Sequence, residues 1–323
     1  MELIHQAQHI IEDNNVIKQA SPFIEANTTK VTLNHLQNDC TIPVFSKDNE
    51  VTISHAQFIE KTMSTVGNLF GDFAMSEPDI RVSHVIKGRI PSAIGKPVKE
   101  LLEHEKTVYY ERCAFVVHIP EITQMINDNS LSLLVGGVRA YNQENLYAKK
   151  GPEKFKMFIG FKNQVCTNLC VNTDGLATDI RVNNIDQLED ALTSLCRSYN
   201  YENHMDAMIN MSRYNLSEKQ FAHLIGKARM YDYLSKSEQD EVFDFAMNDR
   251  QISQVVRGYY NDRNFKRAND GSISLWNLFN LFTEANKSSY IDTFLERGLF
   301  ADEFINELGN SMKNEMPNWY LNN

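Results

Sequence analysis

Residue types that do chemistry occur in this chain, and their spacing decides what they can do. Cys166 and Cys170 look like a ligand pair, but on an extended segment positions i and i+4 lie about 13 Å apart, beyond the reach of one ion or one disulfide. His84, His104 and His118 stand alone, and the sequence holds no HExxH or CxxC, so no metal site is expected. There is no GxSxG elbow, GxGxxG turn or GxxxxGK[ST] loop, which leaves serine hydrolysis and the common nucleotide-binding routes without support. Glu100, Glu103, His104 and Glu105 form an acidic cluster in which Glu100 could raise the imidazole pKa from one helical turn away. A solvated helix end before the strand that follows is the preferred reading of the cluster. No catalytic residue and no cofactor is expected.

The remaining chemistry is electrostatic. Lys87, Arg89, Lys96 and Lys99 lie among Gly88, Pro91, Gly95 and Pro97, which reads as a flexible basic loop. Arg139, Tyr141, Lys156 and Lys162 follow on or beside strands, with Lys149, Lys150 and Lys154 between them. A sheet face with cations and exposed rings can hold a single strand of DNA or RNA, the cations tracking phosphates and the rings stacking on bases. Lys87, Arg89, Arg139, Tyr141, Lys156 and Lys162 are therefore the candidate nucleic-acid contacts.

These residues need a sheet to position them, and the period supplies one. Phe155, Met157, Ile159 and Phe161 share one face, and a hairpin returns through Leu169 and Val171. The run Val108–Ile119 is apolar on both faces near its end and reads as one central strand. Leu131, Leu133 and Val135 alternate until Gly136–Gly137, where one extra residue would put Val138 and Ala140 inward and turn Arg139 and Tyr141 outward; a bulge is predicted there. A strand pair is predicted around Ser46–Asn49. Ser54 is read as an N-cap, with Phe58, Ile59, Met63, Val66 and Leu69 on one helix face. From 184 onward the period is helical. Ser217 and Gln220 make a capping box, Ser237 opens a further helix, and Trp276, Phe279, Phe282, Tyr290, Phe294, Phe300 and Phe304 are expected in the core. The fold class is α+β, with an antiparallel sheet-rich N-terminal half and a mainly helical C-terminal half. Residues 1–40 form a weakly structured lead-in, 41–182 a β-rich domain, and 183–323 a helical region packed on the sheet.

Composition bounds the partners. The 323 residues carry a net charge of −10, yet residues 79–181 hold 14 Lys and Arg against 11 Asp and Glu. An acidic whole opposes indiscriminate polyanion binding, and the middle third supplies only a weak positive field. Five cysteines are too few for a disulfide scaffold and fit a reducing compartment as free thiols. No apolar run reaches a membrane span, and the N-terminus lacks a basic n-region, so a cytoplasmic protein without membrane contact is expected.

The segments PFIEANT (22–28), HVIKGRIPSA (84–93), LLEHEKTVYYER (101–112), LSLLVGGVRAYNQENLY (131–147), FIGFKNQVCTNLCVNTDG (158–175), QFAHLIGKARMY (220–231) and GSISLWNLFNLFTEANKSSYIDTFL (271–295) resemble domain-of-unknown-function family 3871. VCTNLCVNTDG with the SLWNLFNLFTEANKSSY stretch is more loosely similar to the phage/plasmid-like family 932. The resemblance implies a mobile-element protein of anaerobic gut bacteria and carries no assigned activity. The expected function is non-enzymatic binding of single-stranded nucleic acid through the middle third. The alternatives are a factor acting on a host or element-encoded protein partner, and an enzyme with an unrecognised site.

Overall fold

A computed structural model describes residues 22–40, 52–71, 73–141 and 151–321. The main strands in chain order are β1 (Thr29–Val31), β2 (Asp79–Val82), β3 (Val85–Arg89), β4 (Lys106–Tyr110), β5 (Arg112–Ile126), β6 (Asn129–Ala140), β7 (Glu153–Asn163), β8 (Leu169–Cys170) and β9 (Leu176–Val182). Seven of them form one antiparallel sheet in the order β1-β2-β5-β6-β7-β8, with β9 also on β7. Two helices, α1 (Leu33–Asn38) and α2 (His55–Leu69), precede β2. After β9 come α3 (Ile185–Ser198), α4 (Tyr201–Met211), α5 (Glu218–Met230), α6 (Lys236–Gln239), α7 (Asp249–Asn261), α8 (Leu275–Asn286) and α9 (Phe294–Lys313). The α+β reading holds: the sheet is antiparallel and the C-terminal part is helical.

The helix caps sit mainly where the sequence places them. Ser54 and Gln57 close a reciprocal capping box on α2, and Ser217 with Gln220 does the same for α5. The cap of α6 is Ser235, two residues before the expected Ser237, and that helix has a single turn. Residues 22–40, read as part of a loose lead-in, are built into the fold: β1 extends the sheet edge, and Phe23 and Ile24 are buried. The predicted strand pair around Ser46–Asn49 lies outside the described residues.

The sheet is covered on both faces. On one, α2 inserts Phe58 between Phe115 and Phe155, with ring centroids 5.0 and 4.8 Å away in edge-to-face geometry. On the other, Ala114, Val116, Leu134, Val138 and Phe158 pack against Phe23, Ile24, Ile291, Phe294 and Leu295. The bulge predicted at Gly136–Gly137 does not form. β6 keeps strict alternation against β5 through this point, and the register shift falls instead between Ile119 and Thr123 of β5, beside Pro120, which has no N–H to give the ladder. The glycines serve close packing. A Cβ on Gly137 would meet the Phe58 ring, with Cε1 at 2.7 Å, and one on Gly136 would meet the Phe115 carbonyl.

Polar contacts at one turn help tie the helical half to the sheet. Residues 164–168 form a turn between β7 and β8, where Thr167 has a φ of 61°. Asn280 of α8 accepts from Asn163 at 3.1 Å and from the Asn168 side chain at 2.9 Å, and the buried Lys287 donates to the Cys166 carbonyl at 2.6 Å. The aromatic core then builds around Phe245, Phe282, Phe300, Phe304 and Tyr320. Tyr290 is the exception to the expected aromatic core, being 60% exposed. All five cysteines are free.

One buried acid in this half makes stability depend on pH. Asp302 of α9 is 4% exposed, and burial, aided by the charge of Glu303, pushes its carboxyl up from 3.8 to about 7, while the Asn306 amide opposes this. A raised folded-state value means that the stability it contributes is present below about pH 4 and lost as pH rises through 7. Asp302→Asn is expected to unfold at higher urea than wild type at pH 8, by up to roughly 4 kcal/mol, with the gap closing toward pH 4. Equal gaps at both pH values in urea titrations would contradict this.

Candidate functional site

Strands β3 and β4 leave the main sheet and pair only with each other, from Val85↔Tyr110 to Arg89↔Lys106, apart from a single parallel bridge between Cys40 and Val108. The run Val108–Ile119, read as one strand, is thus two strands in two sheets that change over at Glu111. Between them, residues 90–105 fold into three short 3-10 turns: Pro91–Ala93, Val98–Glu100 and Glu103–Glu105. This two-stranded arm carries a concentration of exposed aliphatic groups: Ile94 and Val98 are each 70% exposed and Leu102 is 55% exposed.

The cations of the arm are partly spent on its own groups. The Arg89 guanidinium donates to the Lys96 carbonyl, Lys96 pairs with Glu105, and Lys106 pairs with Glu103. The Lys96 ammonium, with the Leu102 amide, holds the Glu105 carboxyl below its usual range. Lys87 and Lys99 are exposed and have no ion-pair partner among the described residues.

The root of the arm sits in an aromatic socket. His55 Nε2 donates to the Tyr110 carbonyl at 2.8 Å, and the imidazole stacks on Tyr141 with centroids 4.5 Å apart. Arg139 lies over Tyr141 and Phe155, at 4.6 and 4.4 Å from their centroids, pairs with Glu153 and donates to the Ile53 carbonyl. Glu153 Oε2 accepts the Ile53 amide at 3.1 Å, so strand, helix cap and arm root close on one buried ion pair. Burial, then the Arg139 charge, pushes His55 down to about 3, and the ring is neutral. His55 Nδ1 has no hydrogen-bond partner among the described residues. The adjoining cavity, lined by Cys40, His55, Tyr109, Tyr110 and Tyr141, has about 20 Å³ of water-accessible volume, room for one water.

Next to the socket a histidine meets an acid and a thiol. His35 Nδ1 contacts Asp39 Oδ2 at 2.8 Å, and its Nε2 lies 3.0 Å from the Tyr110 hydroxyl and 3.8 Å from Cys40 Sγ. Orienting acid, base and nucleophile are the parts of a catalytic triad. The electrostatics oppose that use: burial, then the Asp39 charge, pushes the Cys40 thiol up to about 11, whereas a nucleophilic cysteine needs its thiolate. The Tyr110 hydroxyl already occupies the nitrogen that would take the proton. The grouping ties α1 to the arm. Its sequence signal is the i, i+4 spacing of His35 and Asp39, a weak one because neither residue stands near another motif. Among the described residues, no group of three or more His, Cys, Asp or Glu is placed to hold a metal ion.

The structure does not bring the six candidate nucleic-acid contacts together. Lys87 and Arg89 lie on the arm. Arg139 and Tyr141, expected to face outward, are 1% and 2% exposed in the socket, because strict alternation carries both onto the α2 face. Lys156 is on the opposite face, buried, and held by Glu296 and the Asp292 carbonyl at 2.8 Å. Beside Lys156 that face is covered by the chain's own Ile291, Phe294 and Leu295. Lys162 stands apart, 3.3 Å from His118, its pKa lowered by burial. Lys149 and Lys150 lie outside the described residues.

The fold defines an α+β protein with a curled antiparallel sheet and a separate two-stranded arm, β3–β4. The chain belongs to the family described as "Domain of unknown function, B. Theta Gene description (DUF3871)", whose sequence profile matches residues 4–321. No curated protein and no solved structure matches it. Among the described residues no helix is long and apolar enough to cross a membrane.

Proposed function

We propose that this protein is a non-enzymatic interaction factor that engages a protein partner through the β3–β4 arm. The observation that carries this reading is the exposure of Ile94, Val98 and Leu102 on an arm in which Lys96 and Lys106 are ion-paired internally and the Arg89 guanidinium is held by a carbonyl, leaving Lys87 and Lys99 as its cations without a partner among the described residues. Phosphate binding needs free positive charge, whereas aliphatic groups gain by leaving water against another apolar surface. The mobile-element setting implied by the family resemblance would supply a host or element-encoded partner. A cytoplasmic site of action fits the five free thiols. The second reading, contact with single-stranded nucleic acid, keeps Lys87 and Arg89, and draws on the exposed Lys99 beside them.

The triple variant Ile94→Ser/Val98→Ser/Leu102→Ser tests the first reading. These side chains are exposed, so the fold should survive, with an unchanged circular dichroism spectrum and melting temperature. In extracts of the native host, wild-type protein is expected to elute in an assembly larger than its own 37.2 kDa, and the variant at the size of the free chain. Identical elution of the two would refute the reading.

A further inference from the structure

The surface most complementary to the arm lies on the same chain. A groove of about 580 Å³ runs between α9 and the segment from α6 to Ala246. Its floor is apolar, formed by Val242, Phe243, Leu299 and Phe300, and its rim carries Asp240, Asp244, Glu296 and Glu303 against one cation, Lys236. Glu296 is paired with Lys156 and Asp240 with Lys236. Asp244 accepts the Tyr231 hydroxyl at 2.7 Å and Glu303 the Thr173 hydroxyl at 2.9 Å, and neither is ion-paired among the described residues. The groove therefore offers apolar surface inside a net negative rim. None of its lining residues comes from the arm.

The arm offers the converse. Residues 84–106 hold five Lys and Arg against three Asp and Glu, so their net charge is positive, and Ile94, Val98 and Leu102 face solvent among them. We infer that the arm of one molecule docks in the acidic-rimmed groove of a second copy of this chain. The inference rests on the arm being a protein-contact surface and names its partner. Burying the aliphatic groups supplies affinity, while Lys87 and Lys99 facing Asp244 and Glu303 set orientation and encounter rate. Because two different patches meet, the contact is heterologous, and each molecule keeps one free arm or one free groove until a ring closes.

That asymmetry gives the test. Wild-type protein should show concentration-dependent association in analytical ultracentrifugation, weakened by added salt. Val98→Asp/Leu102→Asp removes the arm and spares the groove. Asp240→Lys/Glu303→Lys reverses the rim and spares the arm. Each variant alone should sediment as a monomer, and their equimolar mixture should form a dimer and nothing larger, since only one intact arm and one intact groove remain. Circular dichroism checks both folds, and the milder Glu303→Gln should weaken association without abolishing it. A wild-type monomer at millimolar concentration, self-association surviving in either variant, or a mixture that stays monomeric would overturn the inference. A monomeric wild type would leave the arm reading itself to be decided by the host-extract elution, where an unrelated partner still shifts with the triple variant.

Discussion

Replacing Arg139 by Met is expected to cost about 3–5 kcal/mol of folding free energy, because the cation it removes is the ion-pair partner of the buried Glu153. Glu153 would retain the Ile53 amide but would hold an uncompensated charge in the core. The double variant Arg139→Met/Glu153→Met should lose less than the sum of the two single variants, since two thioether chains leave no stranded charge. Urea unfolding of wild type, both singles and the double closes this cycle. A loss below about 1 kcal/mol for Arg139→Met would mean that the guanidinium faces water, as its reading as a phosphate contact requires. The same variant should loosen the arm, because Arg139 stacks under Tyr141, Tyr141 under His55, and His55 holds the Tyr110 carbonyl.

The second large effect is at the paired glycines, and the two should behave differently. Gly137→Ala drives a methyl into the Phe58 ring, an overpacking cost of about 1–3 kcal/mol that Phe58→Leu should largely relieve. Gly136→Ala meets the Phe115 carbonyl of the neighbouring strand and, at 2.6 Å, Phe158 Cζ. Backbone cannot turn aside as a ring can, so the loss should reach about 3 kcal/mol or more and persist when Phe158 is shortened to Leu. Melting of the four proteins decides the matter. Equal rescue at both positions would place the clash on side chains alone.

These glycines also show what was legible in the sequence. The helix caps at Ser54 and Ser217 and the antiparallel pairing of β7 with β8 were readable, because each is fixed by neighbours a few residues apart. Gly136–Gly137 was read as a bulge since local alternation seemed to demand an apolar Val138 inward and a polar Arg139 outward. Both faces of the sheet are in fact covered, so Val138 is buried on one and Arg139 on the other. Nothing in the local pattern shows that Glu153, Phe155 and Ile53 converge to satisfy a guanidinium. Lys156 was misread for the same reason: its partners, Asp292 and Glu296, lie more than a hundred residues away. Val108–Ile119 looked continuous because periodicity does not mark a change of sheet, and Glu111 alone interrupts it. Lys87 and Arg89, read as part of a flexible basic loop, lie instead on strand β3, and the exposure of Ile94, Val98 and Leu102 has no signal in the sequence. An aliphatic residue in a loop is distinguishable from a core residue only once its exposure is known.

The proposed contact role of the arm is tested most directly by placing a photo-activatable cross-linking amino acid at position 98 and irradiating living host cells. Position 125, where Met125 is 61% exposed on the main sheet, serves as the control. The prediction is a discrete protease-sensitive, nuclease-resistant adduct from position 98 that is absent from position 125 and disappears when Ile94 and Leu102 are changed to Ser. A nuclease-sensitive adduct, or no adduct that distinguishes position 98 from position 125, would contradict the account.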